Sequence, residues 1–481
     1  MKKKSLGVNA ILNGLRNMLN LLFPLITFPY VSRVLSVRSI GIYNFSNSII
    51  TYFLLIASLG ISVYSVREGA KYRDNKEELG KFASEVFSIN IVSTIVSYLL
   101  LILLTISIPK LSSVSTVIAI FSLQIAFTTL GTEWIFSIYE EYAYITLRSI
   151  FFKLISLLMM FVFVKNKNDV AMYAAITVFA TVGSNVLNYI KAKRIITFNF
   201  TLDMNLKRHI KPIMIIFASN IAVLIYVNSD ITLLGFFKSS YDVGLYSVSV
   251  KIYSLVKTVL SSILIVTIPR LSMLWGKEKY EEYFKVLKQI YNVLLILIVP
   301  AMIGIISMSK QIILVISGNK YVEASVSLKI LSVALIFSII SWLFNECVLI
   351  PTKLEKYTFY GTFTSALLNI ILNIFFIGKW GINAAATTTV VSELIGMILS
   401  VYFARDIVKI GELVENHLGC IVGSVAIYVE CSIINIFIYN AFISVIVSII
   451  VSLISYVTIL IIFKDKVTVG FIHEMVSRKN N

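Results

Sequence analysis

The side chains best equipped for chemistry in this chain are cations and amides set inside greasy stretches. Asn9, Asn13, Arg16, Asn17 and Asn20 recur at spacings of three and four, which puts them on one face of a helix. Ser247, Lys251, Ser254, Lys257, Thr258 and Ser261 fall within an arc of roughly 120° when wound at about 100° per residue. A third run carries Asn44, Ser46, Asn47, Ser48 and Thr51, and Lys153 adds a cation to another. Such groups are expensive against hydrocarbon, so the faces bearing them must look onto protein or water. Cations in a low-dielectric site suit an anion, and phosphate is the plainest match, with Arg as fork and Lys as point charge. The binding candidates are Asn13, Arg16, Asn17, Asn20, Asn47, Lys153, Asn220, Lys251 and Lys257. Internal pairing competes with this reading, because Glu133, Asp230, Glu346, Glu393 and Glu430 lie in or at the ends of the same runs, and Arg16 could snorkel to headgroups. Asp230 and Glu393 are also candidates for coupling to a proton or sodium ion.

Covalent chemistry finds no support. The chain has no HExxH, no GxxxxGK[ST] and no GxSxG, and His209, His417 and His473 lack ligand spacing. Neither an enzyme nor a metal or cofactor is expected.

The elements that position these residues must be membrane helices. The 481 residues are 58% hydrophobic and 14% charged, with mean hydropathy +0.89, well outside the range of soluble domains. A net charge of +17 would fit nucleic acid only if clustered on one face, whereas here the basic residues separate apolar blocks, as topology signals do, so no nucleic acid is expected. Cys347, Cys420 and Cys431 have no disulfide or metal spacing and read as small packing residues. The opening MKKKSLGVNA ILNGLRNMLN is too interrupted by amides for a cleaved signal and reads as a retained first helix.

Roughly fourteen apolar spans can be counted by the usual window rule. The connections 64–83, 191–211 and 269–288 are the most basic, and placing them inside gives roughly 28 inner Lys and Arg against about 9 outer ones. Both termini are therefore expected to be cytoplasmic in a multi-pass plasma-membrane protein. The amphipathic KEKYEEYFKVLKQ from Lys277 is expected as an interfacial helix on anionic lipid.

A shift of about 203 residues superposes Asn17 on Asn220, Ser36 on Ser239, Gly41 on Gly244, Tyr43 on Tyr246, Ser46 on Ser249 and Ile49 on Ile252. An even number of spans separates the copies, so the halves share an orientation, as in transporters with parallel repeats. The expected architecture is all-α: a six-helix lobe over 1–210, a second over 211–417, two further spans over 418–463 and a cytoplasmic tail over 464–481. The polar faces are expected to line a cleft between the lobes.

FPLITFPYVSRVL with GIYNFSNSII, LGISVYSVREGAKYRD, TEWIFSIYE, FASNIAVLIYVNSDITLLG with VGLYSVSVKI, and VLIPTKLEKYTFYG resemble the polysaccharide repeat-unit flippases, which belong to the superfamily of multidrug and oligosaccharidyl-lipid exporters. The chain differs from the common pattern at Tyr64-Ser65-Val66-Arg67-Glu68, where Tyr-Gly usually precedes Arg-Glu. It differs again after Trp134-Ile135-Phe136, where Ser137-Ile138-Tyr139 replaces a common Gln-Gly. The resemblance implies a MATE-like flippase fold and transport of an undecaprenyl-pyrophosphate-linked oligosaccharide from the inner to the outer leaflet, for capsule, exopolysaccharide or a similar surface polymer. It also implies membrane lipids, a polysaccharide polymerase and glycosyltransferases as neighbours. The alternatives are a cation-coupled drug or metabolite antiporter of the same superfamily and a membrane-embedded polysaccharide polymerase; the second would want a longer external loop than this chain has.

Overall fold

The computed structural model describes Gly14, residues 23–415 and residues 417–465. All regular structure among the described residues is helical. The chain divides by its own packing into two compact units, Met1–Gly244 and Leu245–Asn481.

The first unit begins with α1, described over 23–34, and continues through α2 (Val37–Ser58), α3 (Ile61–Gly69), α4 (Lys76–Ser107), the short α5 (Pro109–Ser112), α6 (Ser115–Gly131), α7 (Glu133–Ile138), α8 (Tyr142–Phe163), α9 (Val170–Val182), α10 (Asn185–Ile195) and α11 (Leu206–Phe237). α2 and α4 start where a side chain stands in for missing backbone partners. The Ser36 hydroxyl accepts from Ser39 N at 3.1 Å to open α2, and Asn75 accepts from Glu77 N and Glu78 N to open α4. At the far end of α2 the chain breaks at Leu59 and Gly60, both left-handed. α2 is the central helix of this unit and packs on α4, α6, α9 and α11.

The unit boundary falls inside α12 (Ser240–Gly276), whose start repeats the start of α2. Ser239 Oγ accepts from Asp242 N at 3.3 Å, the same capping role that Ser36 plays. The matched glycines meet. A Cβ on Gly41 would lie 1.6 Å from Ser240 O, and one on Gly244 would lie 2.1 Å from Val37 O, so only glycine lets these backbones approach.

The second unit continues with α13 (Tyr280–Ile316), α14 (Ala324–Phe344), a π turn at Asn345–Leu349, α15 (Glu355–Ala404), the short α16 (Ile410–Leu413), α17 (Leu418–Phe437) and α18 (Ala441–Ile462). α13 packs on α14, α17 and α18, and α14 on α15. Tyr456 ties α18 to α13 by donating to Ile296 O at 2.7 Å. The amphipathic stretch from Lys277 leads into the first turns of α13, where Tyr283 is buried and donates to Cys347 O at 2.7 Å, which fastens one face of the stretch to the protein.

Eleven helical stretches are long and apolar enough to cross a membrane among the described residues, against the roughly fourteen expected. The reasons are local. The first expected span lies largely outside the described residues, α6 has only 17 residues, and two expected spans run together in the 50-residue α15, which breaks at Gly381, φ 56°. Large apolar side chains such as Leu99, Leu103, Ile106, Val266, Ile449 and Leu453 stand exposed, a surface that only a bilayer would solvate. The protein is an all-α, multi-pass membrane protein.

Candidate functional site

In the first unit, α11 packs along α2 and brings three of the candidates onto one helix pair. Asn47 is half-buried on α2, and its side chain has no hydrogen-bond partner among the described residues. Asn220, on α11, stands at the α2–α3 break, its amide nitrogen 3.4 Å from where a Cβ on Gly60 would be. Further along α11, Asp230 is half-buried and has contacts of its own. Just past Asp230, Thr232 Oγ1 lies 3.2 Å from Ser48 Oγ and 3.3 Å from Tyr52 OH, so the seam between the two helices is hydroxyl-rich. Lys153 is placed elsewhere, on α8 against α9, with its ammonium 6.0 Å from the Phe23 ring centroid. Asn13, Arg16, Asn17 and Asn20 lie outside the described residues, as does nearly all of the tail over 464–481.

In the second unit, Lys251 and Lys257 differ. Lys257 Nζ bonds Glu393 Oε1 at 3.1 Å, joining α12 to α15, and it also stands 5.7 Å from the Tyr253 ring centroid. Internal pairing thus claims one candidate cation and one candidate coupling carboxylate together. Lys251 is half-buried six residues earlier and has no ion-pair or hydrogen-bond partner among the described residues. An ammonium kept in that state inside an apolar helix asks for a ligand or water. Also in this unit, α12, α13, α17 and α18 enclose an almost wholly apolar groove of about 840 Å³, lined by residues such as Val256, Ile263, Leu297, Ile305, Ile449 and Leu453.

Some polar chemistry escaped the spacing argument. His209 is fully buried, with Nδ1 2.6 Å from Tyr64 OH and Nε2 2.7 Å from Glu85 Oε2, so α3, α4 and α11 share one hydrogen-bonded chain. Its signal in sequence was only a histidine beside an arginine at a helix start. Asn369, Asn373 and Thr388 form a second buried cluster, linked at 2.9 and 2.5 Å. The described residues contain no group of His, Cys, Asp and Glu able to hold a metal ion, and the three cysteines are buried and free.

Comparison with known proteins sets this arrangement among its relatives. A family model described as polysaccharide biosynthesis protein matches residues 6–275. The chain is 26% identical over 276 residues to an Escherichia coli K12 protein named "Putative O-antigen transporter", a match spanning 56% of this chain and 66% of that one. A Shigella dysenteriae protein of the same name is 23% identical over 407 residues, or 83% of this chain and 99% of its own length. The "Probable low-salt glycan biosynthesis flippase Agl15" of Haloferax volcanii is 24% identical over 197 residues, 40% of each chain. The chain therefore spans less than two thirds of the Escherichia and Haloferax relatives. Among solved structures, the lipid II flippase MurJ in an inward closed conformation superposes with a TM-score of 0.76 at 16% identity, covering 96% of this chain and 99% of that one, which shows a shared fold.

Proposed function

The chain belongs to the polysaccharide biosynthesis protein family, and on that footing we propose that it is a flippase for an undecaprenyl-pyrophosphate-linked oligosaccharide repeat unit. It carries the unit from the inner to the outer leaflet of the plasma membrane by alternating access, with no covalent step, and supplies surface polysaccharide synthesis. The two six-helix repeats over 1–210 and 211–417 supply the alternation, and both termini are cytoplasmic. Polymerase and glycosyltransferases act on either side of the step.

The observation that carries this reading is Lys251, a half-buried ammonium without a partner among the described residues. Such a cation suits a pyrophosphate, which Lys153 and Arg16 would also attract. The neutral amides of Asn47 and Asn220 suit sugar hydroxyls. The apolar groove beside α13 supports the lipid half of the substrate, since a polyprenyl tail needs hydrocarbon contact while its head crosses.

Replacing Lys251 by Ala, with membrane abundance held constant, is expected to abolish surface polysaccharide and to trap lipid-linked repeat units on the inner side, read by leaflet-specific labelling. Normal export from Lys251→Ala would remove this residue from the site. Asp230 is the remaining candidate for ion coupling, because Glu393 is engaged by Lys257. Transport in proteoliposomes indifferent to imposed proton and sodium gradients would end the coupling idea.

A further inference from the structure

We propose that the first unit holds a separate pocket for a neutral saccharide unit of the substrate, built around Gln124 and Thr132 at the elbow between α6 and α7. The proposal rests on the flippase reading and adds to it a further place, beyond Asn47 and Asn220, where sugar rather than pyrophosphate is recognised.

A cavity of about 410 Å³ lies inside this unit, bounded by α2, α3, α4, α6, α7 and the α9–α10 junction. Its size is that of a small-molecule site and far exceeds what a bare ion needs. Gln124 and Thr132 line it, 8% and 3% exposed; the Gln124 amide has no hydrogen-bond partner among the described residues, and the Thr132 hydroxyl oxygen is fully buried in the wall without one. Buried polar groups left open in this way are ordinarily satisfied by a ligand or by water. Thr132 is also held with φ 39°, a left-handed conformation that a β-branched residue rarely adopts, and it does so where the chain turns from α6 into α7.

The other polar walls are fixed in place. Asn90 donates to Ala57 O at 2.7 Å, which leaves its amide oxygen as an acceptor without a protein donor among the described residues. Asn185 donates to Phe127 O at 2.9 Å and presses on Gly131, where a Cβ would lie 2.7 Å from the Asn185 amide carbon. Asn185 also accepts from Asn188 Nδ2 at 3.4 Å, so it is a fixed wall, whereas Asn90, tethered on its nitrogen and open on its oxygen, is preorganised for a directional hydrogen bond.

Charge selects the ligand class. Glu133 is the one ionisable side chain lining the cavity, and Arg148 holds its carboxylate at 3.0 Å. A carboxylate in the wall repels pyrophosphate, and the guanidinium beside it removes the excess negative charge a cation would seek. What remains is a neutral set of amides and hydroxyls with the Trp134 indole in the same wall, which matches a hydroxyl-bearing ring with one apolar face.

The test uses the full chain in lipid nanodiscs with two probes: undecaprenyl pyrophosphate, and the sugar-bearing form extracted from cells lacking this chain. The unmodified protein is expected to bind the sugar-bearing lipid more tightly than the bare one. Gln124→Leu and Thr132→Gly should each weaken the sugar-bearing lipid about three- to tenfold, as loss of one or two hydrogen bonds does. Binding of the bare lipid should stay within about twofold. Thr132→Gly is the safeguard on folding, because glycine adopts the left-handed backbone more easily than threonine. Equal losses for both lipids, or no loss for either in folded variants, would overturn the saccharide pocket while leaving the flippase reading intact. If the unmodified chain binds neither lipid, the flippase reading falls and the pocket with it.

Discussion

In the second unit Asn373 donates to Asn369 and Thr388 to Asn373, Ser341, Asn345 and Ser400 lie 3.1–3.3 Å from one another, and Lys257 holds Glu393. In the first unit, Gln124 and Thr132 face a cavity without protein partners among the described residues. The second unit has its own cavity, but it is apolar, and the polar clusters just named bond to one another rather than facing it. A membrane helix keeps amides and hydroxyls either because no water is present to hold helices together or because something polar lies alongside. Helical spacing marks both uses in the same way. Bonding separates them.

The contrast breaks most readily at Glu393. Glu393→Ala leaves the Lys257 ammonium without its counter-charge, and the expected loss is about 2–3 kcal/mol, at the low end for truncating one partner of a buried pair. Lys257 keeps 27% of its side-chain exposure, which is why the low end applies. Thermal unfolding of purified protein should show Lys257→Met with Glu393→Leu recovering most of that loss. A double variant as unstable as the single one would mean that the pair does not act as a unit. Asn373→Leu comes next, at about 1–2 kcal/mol, because Asn369 and Thr388 lose their shared partner inside a buried cluster. Unchanged unfolding would show that this cluster fastens nothing.

The fold was legible to a large extent, since apolar length and basic loops report directly on helices in a bilayer. The Ser36/Ser239 match was legible too, and capping at 3.1 and 3.3 Å gives it a physical reason. The site was less so. Spacing put Lys251 and Lys257 on one face, but only coordinates show that Glu393, 136 residues away from Lys257, neutralises one and leaves the other. TEWIFSIYE carried the resemblance without revealing that Thr132 is left-handed and faces a cavity, because a backbone turn leaves no periodic trace. His209 read as a loop histidine, since its partners Tyr64 and Glu85 are 145 and 124 residues away in sequence.

The smallest effect is the sharpest instrument. Gln124→Leu removes a buried amide that bonds to no described residue, so it forfeits no protein hydrogen bond and gains apolar contact; the expected stability change is within about 0.5 kcal/mol of zero, in either direction. Asn90→Leu lines the same cavity but gives up the bond to Ala57 O, and should cost about 1 kcal/mol more than Gln124→Leu. Unfolding temperatures of the two variants in one detergent provide the comparison. Should Gln124→Leu prove as costly as Asn90→Leu, its amide would be fastening helices like those of the second unit, and the difference between the units would vanish at the position that best expresses it. A neutral Gln124→Leu that nonetheless exports poorly would mean that the amide serves what enters the cavity, because nothing in the protein's own stability would then account for keeping it buried.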